Sequence, residues 1–147
     1  IPVVLMATHE RPGDSLGVEE TLSDLGSSMA LLEGEGYPVT RKVIVDPAIG
    51  RWTPQKTEGH DLEVIHRLSA FRALGCPILA GISRKSFVGA VLGKKDPADR
   101  FQGTLAATAI AVYNGAHLIR THDINDDTID TIRMAKTIRD AEDREKI

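Results

Sequence analysis

Four short runs of apolar, often β-branched residues alternate with stretches whose apolar positions recur every three or four residues. The runs are Val3 to Ala7, Val43 to Val45, Ile78 to Ile82 and His117 to Arg120. Each gives way to turn or polar residues and then to a helical pattern. Val18, Leu22, Leu25, Met29 and Leu32 predict a helix over 18–33, ended by Gly34, Gly36 and Pro38. Leu62, Ile65, Leu68, Phe71 and Leu74 predict another over 59–74, closed by Gly75. A short helix is expected over 87–92, a longer one over 99–114 after Asp96-Pro97, and a last one over 127–141. The 99–114 helix is apolar nearly all round, which predicts burial on two sides, as at a subunit interface.

Strands this short and this continuously apolar read as parallel strands joined by helical crossovers, an α/β fold of repeated βα units. In such sheets ligands bind beyond the carboxyl ends of the strands. The polar residues of chemical interest fall at those ends: Met6 to Arg11, Asp46, Ser83 to Ser86, and Arg120 to His122. His60, His66 and His117 fall on helices or within a strand and are expected to be structural, and Asp123 is expected to cap the last helix.

Composition narrows the function classes. A net charge of −3 gives no general attraction to nucleic acid or to an anionic membrane, so any anion must be held by a few placed cations. The single cysteine, Cys76, rules out a disulfide framework and is expected to be a small buried hydrophobe. No run approaches the roughly 20 apolar residues of a membrane span. With no signal peptide visible, a cytoplasmic domain is expected. No metal-ligand spacing stands out: His9-Glu10 and His122-Asp123 are isolated pairs.

At the strand ends, Asp46 is either a turn aspartate capping its own loop or a carboxylate that accepts two parallel hydrogen bonds from a flat donor edge. Ser83-Arg84-Lys85-Ser86 places two hydroxyls and two cations before a helix start. That makes an anion site, or alternatively an N-cap serine followed by solvated basic residues. Arg120 and His122 share a face in extended geometry, and a guanidinium beside an imidazole suits a phosphate. Arg11, Pro12 and Gly13 are expected to form a mobile loop.

These segments resemble a known family. Ile78-Leu79-Ala80-Gly81-Ile82-Ser83-Arg84-Lys85-Ser86-Phe87-Val88-Gly89 is similar to the dihydropteroate synthase signature around the seventh barrel strand. Asp46-Pro47-Ala48-Ile49-Gly50 resembles the segment after strand six, and Arg120-Thr121-His122-Asp123-Ile124 the ending after strand eight. Val3 to Met6 is similar to strand five, and Gly103 to Ala107 to the helix start that follows strand seven. The resemblance implies that residues 1–147 are the C-terminal half of a pterin-binding TIM-type (βα)8 barrel, with an archaeal-type member as one option. It implies condensation of 6-hydroxymethyl-dihydropterin diphosphate with 4-aminobenzoate or a related arylamine. Asp46 would then hold the pterin's amino-pyrimidine edge, with Met6 against the ring face and Lys85 at its carbonyl side. Gly81 would belong to the same substrate site, and Ser86 would stand near the aminobenzoate carboxylate. Arg120 and His122 would bind the diphosphate, so that Lys85, Arg120 and His122 carry catalysis. Mg²⁺ is expected from the N-terminal half, with no metal ligand in this chain, and a homodimer is expected through the helices near 99–114 and 127–141.

Two departures bear on this. Ala48 and Arg51 stand where the family has glycine and an aromatic or small residue. The family's Gly-Lys-Thr-x-x-x-Asn stretch is replaced by residues 51–60. Arg51 and Trp52 would lie on the aminobenzoate side and favour a larger or more anionic arylamine. The chain also enters its first strand directly at Ile1-Pro2, so a fragment of a longer chain is expected, with weak or no activity alone. A second chain, or a second copy, completing the barrel is the alternative. Other functional readings are a non-catalytic pterin- or phosphate-binding fragment and a pterin-binding methyltransferase domain. The latter is not expected to read Ser-Arg-Lys-Ser.

Overall fold

In the computed structural model, which describes residues 1–141, the four apolar runs become strands that all point the same way. β1 (Val3–Met6) pairs in parallel with β2 (Val43–Asp46), in a register that sets Met6 beside Asp46. β3 (Leu79–Ala80) pairs in parallel with β4 (Leu118–Ile119). A parallel bridge from Val45 to Ile78, with the Val45 N–H donating to the Pro77 carbonyl at 2.9 Å, joins the two pairs in the order β1-β2-β3-β4. Val45, Ile78, Ala80 and Ile82 are fully buried, as expected of parallel strands covered by helices. The outer strands differ: Val4 of β1 is 53% exposed and Leu118 of β4 is 38% exposed. Open edges of half a barrel account for this.

The crossovers are helical. α1 (Gly17–Gly34) buries Val18, Leu25 and Met29, and a single turn, α2 (Val39–Lys42), leads into β2. α3 (Glu58–His66) starts with the His60 ring accepting the Thr57 N–H at 3.0 Å. The predicted 59–74 helix does not run through: it breaks at Arg67 and continues as a 3₁₀ helix over Leu68–Leu74. Asn114 explains the break, because its amide donates to the carbonyls of Ile65 and His66 at 2.9 and 3.0 Å and so satisfies the end of α3 from outside. The tighter winding then eclipses Leu68 and Phe71, and both are fully buried. His117 accepts the Ile78 N–H at 3.1 Å, a structural role, and Cys76 is buried.

After β3 come α4 (Ser86–Leu92), a 3₁₀ turn over Pro97–Arg100 capped by Asp96, and α5 (Phe101–Tyr113). The helix expected from residue 99 therefore starts as 3₁₀ and becomes α-helical at Phe101. α6 (Asp126–Arg139) packs on α5 and is capped by Asn125, whose side chain accepts the Thr128 N–H at 3.0 Å. Asp123 is not the cap; it pairs with Arg84. One face of α5 stays open, with Ile110 51% exposed beside an apolar groove of about 350 Å³ lined by Leu62, Phe87, Val91 and Ala107. Among the described residues no helix is long and apolar enough to cross a membrane.

Candidate active site at the strand ends

Asp46, the last residue of β2, is only 8% exposed. One carboxylate oxygen accepts the Ala48 N–H at 2.8 Å, an aspartate turn that leaves the other oxygen uncommitted to the loop. Burial pushes the Asp46 carboxyl above its ordinary value, while the Ala48 N–H and the charges of Arg120, Lys85 and Lys56 act in the opposite direction. Ala48 sits in the left-handed region with φ at +57°, a conformation that glycine takes without a side-chain clash. Met6 is half-buried next to Asp46 across the sheet.

Lys85 is held over the β2 loop. Its ammonium lies 5.2 Å from the Trp52 ring centroid, a cation–π arrangement. Gly50 makes room for it: a β-carbon there would stand 2.9 Å from Lys85 Nζ. Burial and the neighbouring Arg120 lower the Lys85 pKa, and Asp46 and Asp61 raise it in part. Gly81 serves Arg120 in the same way, since a β-carbon at Gly81 would lie 2.9 Å from a guanidinium nitrogen.

A small cavity of about 120 Å³ is lined by Gly81, Ser83, Lys85, Arg120, Thr121 and His122. The buried Ser83 hydroxyl accepts the His122 N–H at 3.2 Å and bonds its Nδ1 at 2.9 Å, which fixes the imidazole. Of the predicted residues, the structure thus gathers Gly81, Lys85, Arg120 and His122 around one space, with Asp46 within electrostatic reach of Lys85 and Arg120.

The Ser-Arg-Lys-Ser segment divides its roles. Arg84 does not face the cavity; its guanidinium clasps the Asp123 carboxylate with two hydrogen bonds, one of 3.1 Å, and tethers the β3 loop to the end of β4. Its φ of +57° interrupts the strand alternation, and the Thr104 hydroxyl holds its N–H at 3.0 Å. Ser86 is exposed at the first position of α4 and lies outside the cavity lining. The loop of Arg11, Pro12 and Gly13, expected to be mobile, is organised by Asp14, whose carboxylate accepts the N–H groups of His9, Glu10 and Arg11 at 2.8 to 3.1 Å.

Lys56 and Asp61, charged side chains almost wholly hidden from solvent, were not anticipated. Lys56 is 1% exposed and donates to the Ala48 carbonyl at 2.7 Å, with a longer contact of 3.4 Å to the Gly13 carbonyl. Asp61 is also 1% exposed and accepts the Gly50 N–H at 2.7 Å. Burial lowers the Lys56 pKa and raises that of Asp61, and each charge offsets part of the other's shift. A signal was present: Lys56-Thr57 followed by Asp61 keeps the Lys-Thr-x-x-x-Asn spacing if three residues are inserted before the lysine.

One group of possible metal ligands does converge among the described residues, namely His9, Glu20 and Asp24. Their polar atoms already serve the fold. His9 pairs with Asp24 at 3.0 Å, Ser15 donates to Asp24 at 2.7 Å, and Glu20 accepts the Leu16 N–H at 2.9 Å.

A parallel βα array with a buried carboxylate and clustered cationic side chains at its strand ends is the architecture of half a β/α barrel. The chain belongs to the pterin-binding enzyme family, whose model matches residues 1–122. Dihydropteroate synthase of Bacillus subtilis is 35% identical over 138 residues, 92% of this chain and 45% of that protein. A Haloferax volcanii protein described as a probable bifunctional folylpolyglutamate synthase/dihydropteroate synthase is 34% identical over 146 residues, 95% of this chain and 17% of that protein. Dihydropteroate synthase of Coxiella burnetii, solved with pteroic acid, superimposes with a TM-score of 0.83 at 30% identity, covering 95% of this chain and 52% of that one. The chain spans about half the length of the Bacillus protein. Archaeal and bacterial relatives match almost equally, so the likeness does not single out an archaeal type.

Proposed function

We propose that this chain is the C-terminal half, strands five to eight, of a dihydropteroate synthase barrel. The complete barrel joins 6-hydroxymethyl-dihydropterin diphosphate to 4-aminobenzoate or a related arylamine and releases diphosphate. The observation that carries this reading is the convergence of a buried acceptor, Asp46, with Lys85, Arg120 and His122 at neighbouring strand ends. A dihydropterin diphosphate has matching halves: a flat donor edge for Asp46 and an anionic tail for the cations.

In this reading the free oxygen of Asp46 and its turn-bonded partner accept the pterin's amino and ring N–H groups. Lys85 donates to the ring carbonyl, and Met6 lies against the ring. Arg120 and His122 bind the diphosphate and stabilise the charge that grows on it as the methylene C–O bond breaks. The arylamine nitrogen forms the new C–N bond and loses a proton. Positioning and electrostatics do the chemistry, with no covalent enzyme intermediate. Mg²⁺ would add charge neutralisation at the diphosphate. The cavity is lined by two cations, Lys85 and Arg120, two hydroxyls, Gly81 and an imidazole tied to Ser83, with no carboxylate among them. This fits the anion rather than Mg²⁺, so the ion's ligands would come from the first four strands. Trp52, with Arg51 next to it in the chain, would border the second-substrate side and favour a larger or more anionic arylamine. The open face of α5, with exposed Ile110, Met134 and Ile138 on α5 and α6, suits a homodimer contact. A cytoplasmic location fits this biosynthetic role.

The test is a coupled diphosphate-release assay with several arylamines, run on the chain alone and with the first four strands supplied. Release that requires both halves supports the reading. Pterin diphosphate binding without arylamine consumption in the completed barrel would overturn it and leave a binding module.

A further inference from the structure

The Asp46 turn is held from three sides, and two of the holders are charges hidden from solvent. Asp46 itself takes the Ala48 N–H, Lys56 donates to the Ala48 carbonyl at 2.7 Å, and Asp61 takes the Gly50 N–H at 2.7 Å. The peptide groups on both sides of Ala48 and the one before Gly50 are therefore all tied. Ala48 is left-handed without being glycine, so this turn has no intrinsic preference for its shape and depends on such ties. Gly50 is also the surface over which the Lys85 ammonium lies. Lys56 reaches further, to the Gly13 carbonyl in the loop after β1.

We infer that Lys56 and Asp61 are positioning residues that clamp the Asp46–Gly50 turn, and thereby set where Asp46 and Lys85 meet the pterin. Neither is among the residues that line the cavity, and the two form no direct ion pair within 4 Å among the described residues. Apolar side chains would fill the same space without the desolvation cost of two buried charges. What apolar residues cannot supply is a donor at the Ala48 carbonyl and an acceptor at the Gly50 N–H. The inference rests on the reading that Asp46 receives the pterin edge.

The experiment uses the intact barrel protein that carries this chain, with pteroic acid as the probe in isothermal titration calorimetry. Lys56→Met and Asp61→Ala are each expected to weaken pteroic acid at least tenfold, with the binding stoichiometry of the folded protein unchanged. Asp61→Asn keeps an oxygen acceptor for the Gly50 N–H and is expected to stay within threefold of the native Kd. A purely structural role would lower the melting temperature and the active fraction while leaving Kd intact, and that outcome overturns the clamp. So would equal losses for Asp61→Asn and Asp61→Ala. Amide exchange at Gly50 tests the clamp without ligand: protected in the native protein and in Asp61→Asn, at least tenfold faster in Asp61→Ala. Equal exchange in all three refutes it even if one variant folds poorly. If the native protein fails to bind pteroic acid while Gly50 exchange follows this order, the pterin reading fails and the clamp stands.

Discussion

Replacing Gly81 by alanine isolates the anion cradle from the rest of the site. A β-carbon on Gly81 would stand 2.9 Å from one guanidinium nitrogen of Arg120, 3.3 Å from Nε and 3.4 Å from Cζ. Ordinary contact begins near 3.4 Å, so the head group must retreat by about half an ångström. The backbone is not the obstacle, because Gly81 is not in the left-handed region. The guanidinium is the far end of a flexible side chain and can move, so stability should fall little. Function should not be spared. A charge-assisted hydrogen bond contributes about 1.5 to 3 kcal/mol, and Arg120 is exposed enough that solvent screening favours the lower figure. About 1.5 kcal/mol is roughly tenfold in affinity. Calorimetry with pterin diphosphate should show this loss, whereas pteroic acid, which lacks the diphosphate, should bind as before. Equal loss for both ligands would refute the assignment of Arg120 to the anion, and no loss for either would refute the steric argument.

Three further outcomes follow from the same geometry. Asp46→Asn should weaken pteroic acid at least tenfold, since an amide offers one acceptor and one donor where the ligand presents two donors. Because burial raises the Asp46 pKa, native binding should weaken as pH falls through a value above the ordinary 3.8, and the Asn variant should lack that dependence in calorimetry across pH. Arg84→Met should lower the urea midpoint by freeing Asp123, yet leave pteroic acid affinity within about twofold, unlike Lys85→Ala, which should weaken it. The Asp123 carboxyl is held below its usual range by Arg84, so this contribution is present above pH 3.8 and fades as pH falls through the lower folded value. His9, with its pKa raised by Asp24, behaves in the opposite sense. Its ion pair is complete below pH 6.5 and is lost as pH rises through the folded value, which an NMR titration of the ring should report. An unshifted His9 curve would remove the pair.

Much of the architecture was legible because burial follows local periodicity. Strands at Val3, Val43, Leu79 and Leu118 and helices between them follow from apolar spacing, and the rule for parallel sheets locates the ligand end. The helix boundary at Arg67 was not legible, because the group that ends α3 is the side chain of Asn114. Adjacent residues also misled: alternation treats Arg84 and Lys85 alike, but a left-handed φ at Arg84 sends one cation to Asp123 and leaves the other at the cavity.

By itself, then, the chain's sequence determined the order of parallel βα units and the set of polar residues at their carboxyl ends, since both depend on neighbours a few positions away. Only the tertiary structure decided which of those residues share a cavity and what holds them there. Ser83 meets His122, Lys56 meets Gly13, and Asp61 meets Gly50 through hydrogen bonds that close long loops. Such bonds form only once packing has brought distant segments within about 3 Å, a condition no local pattern encodes.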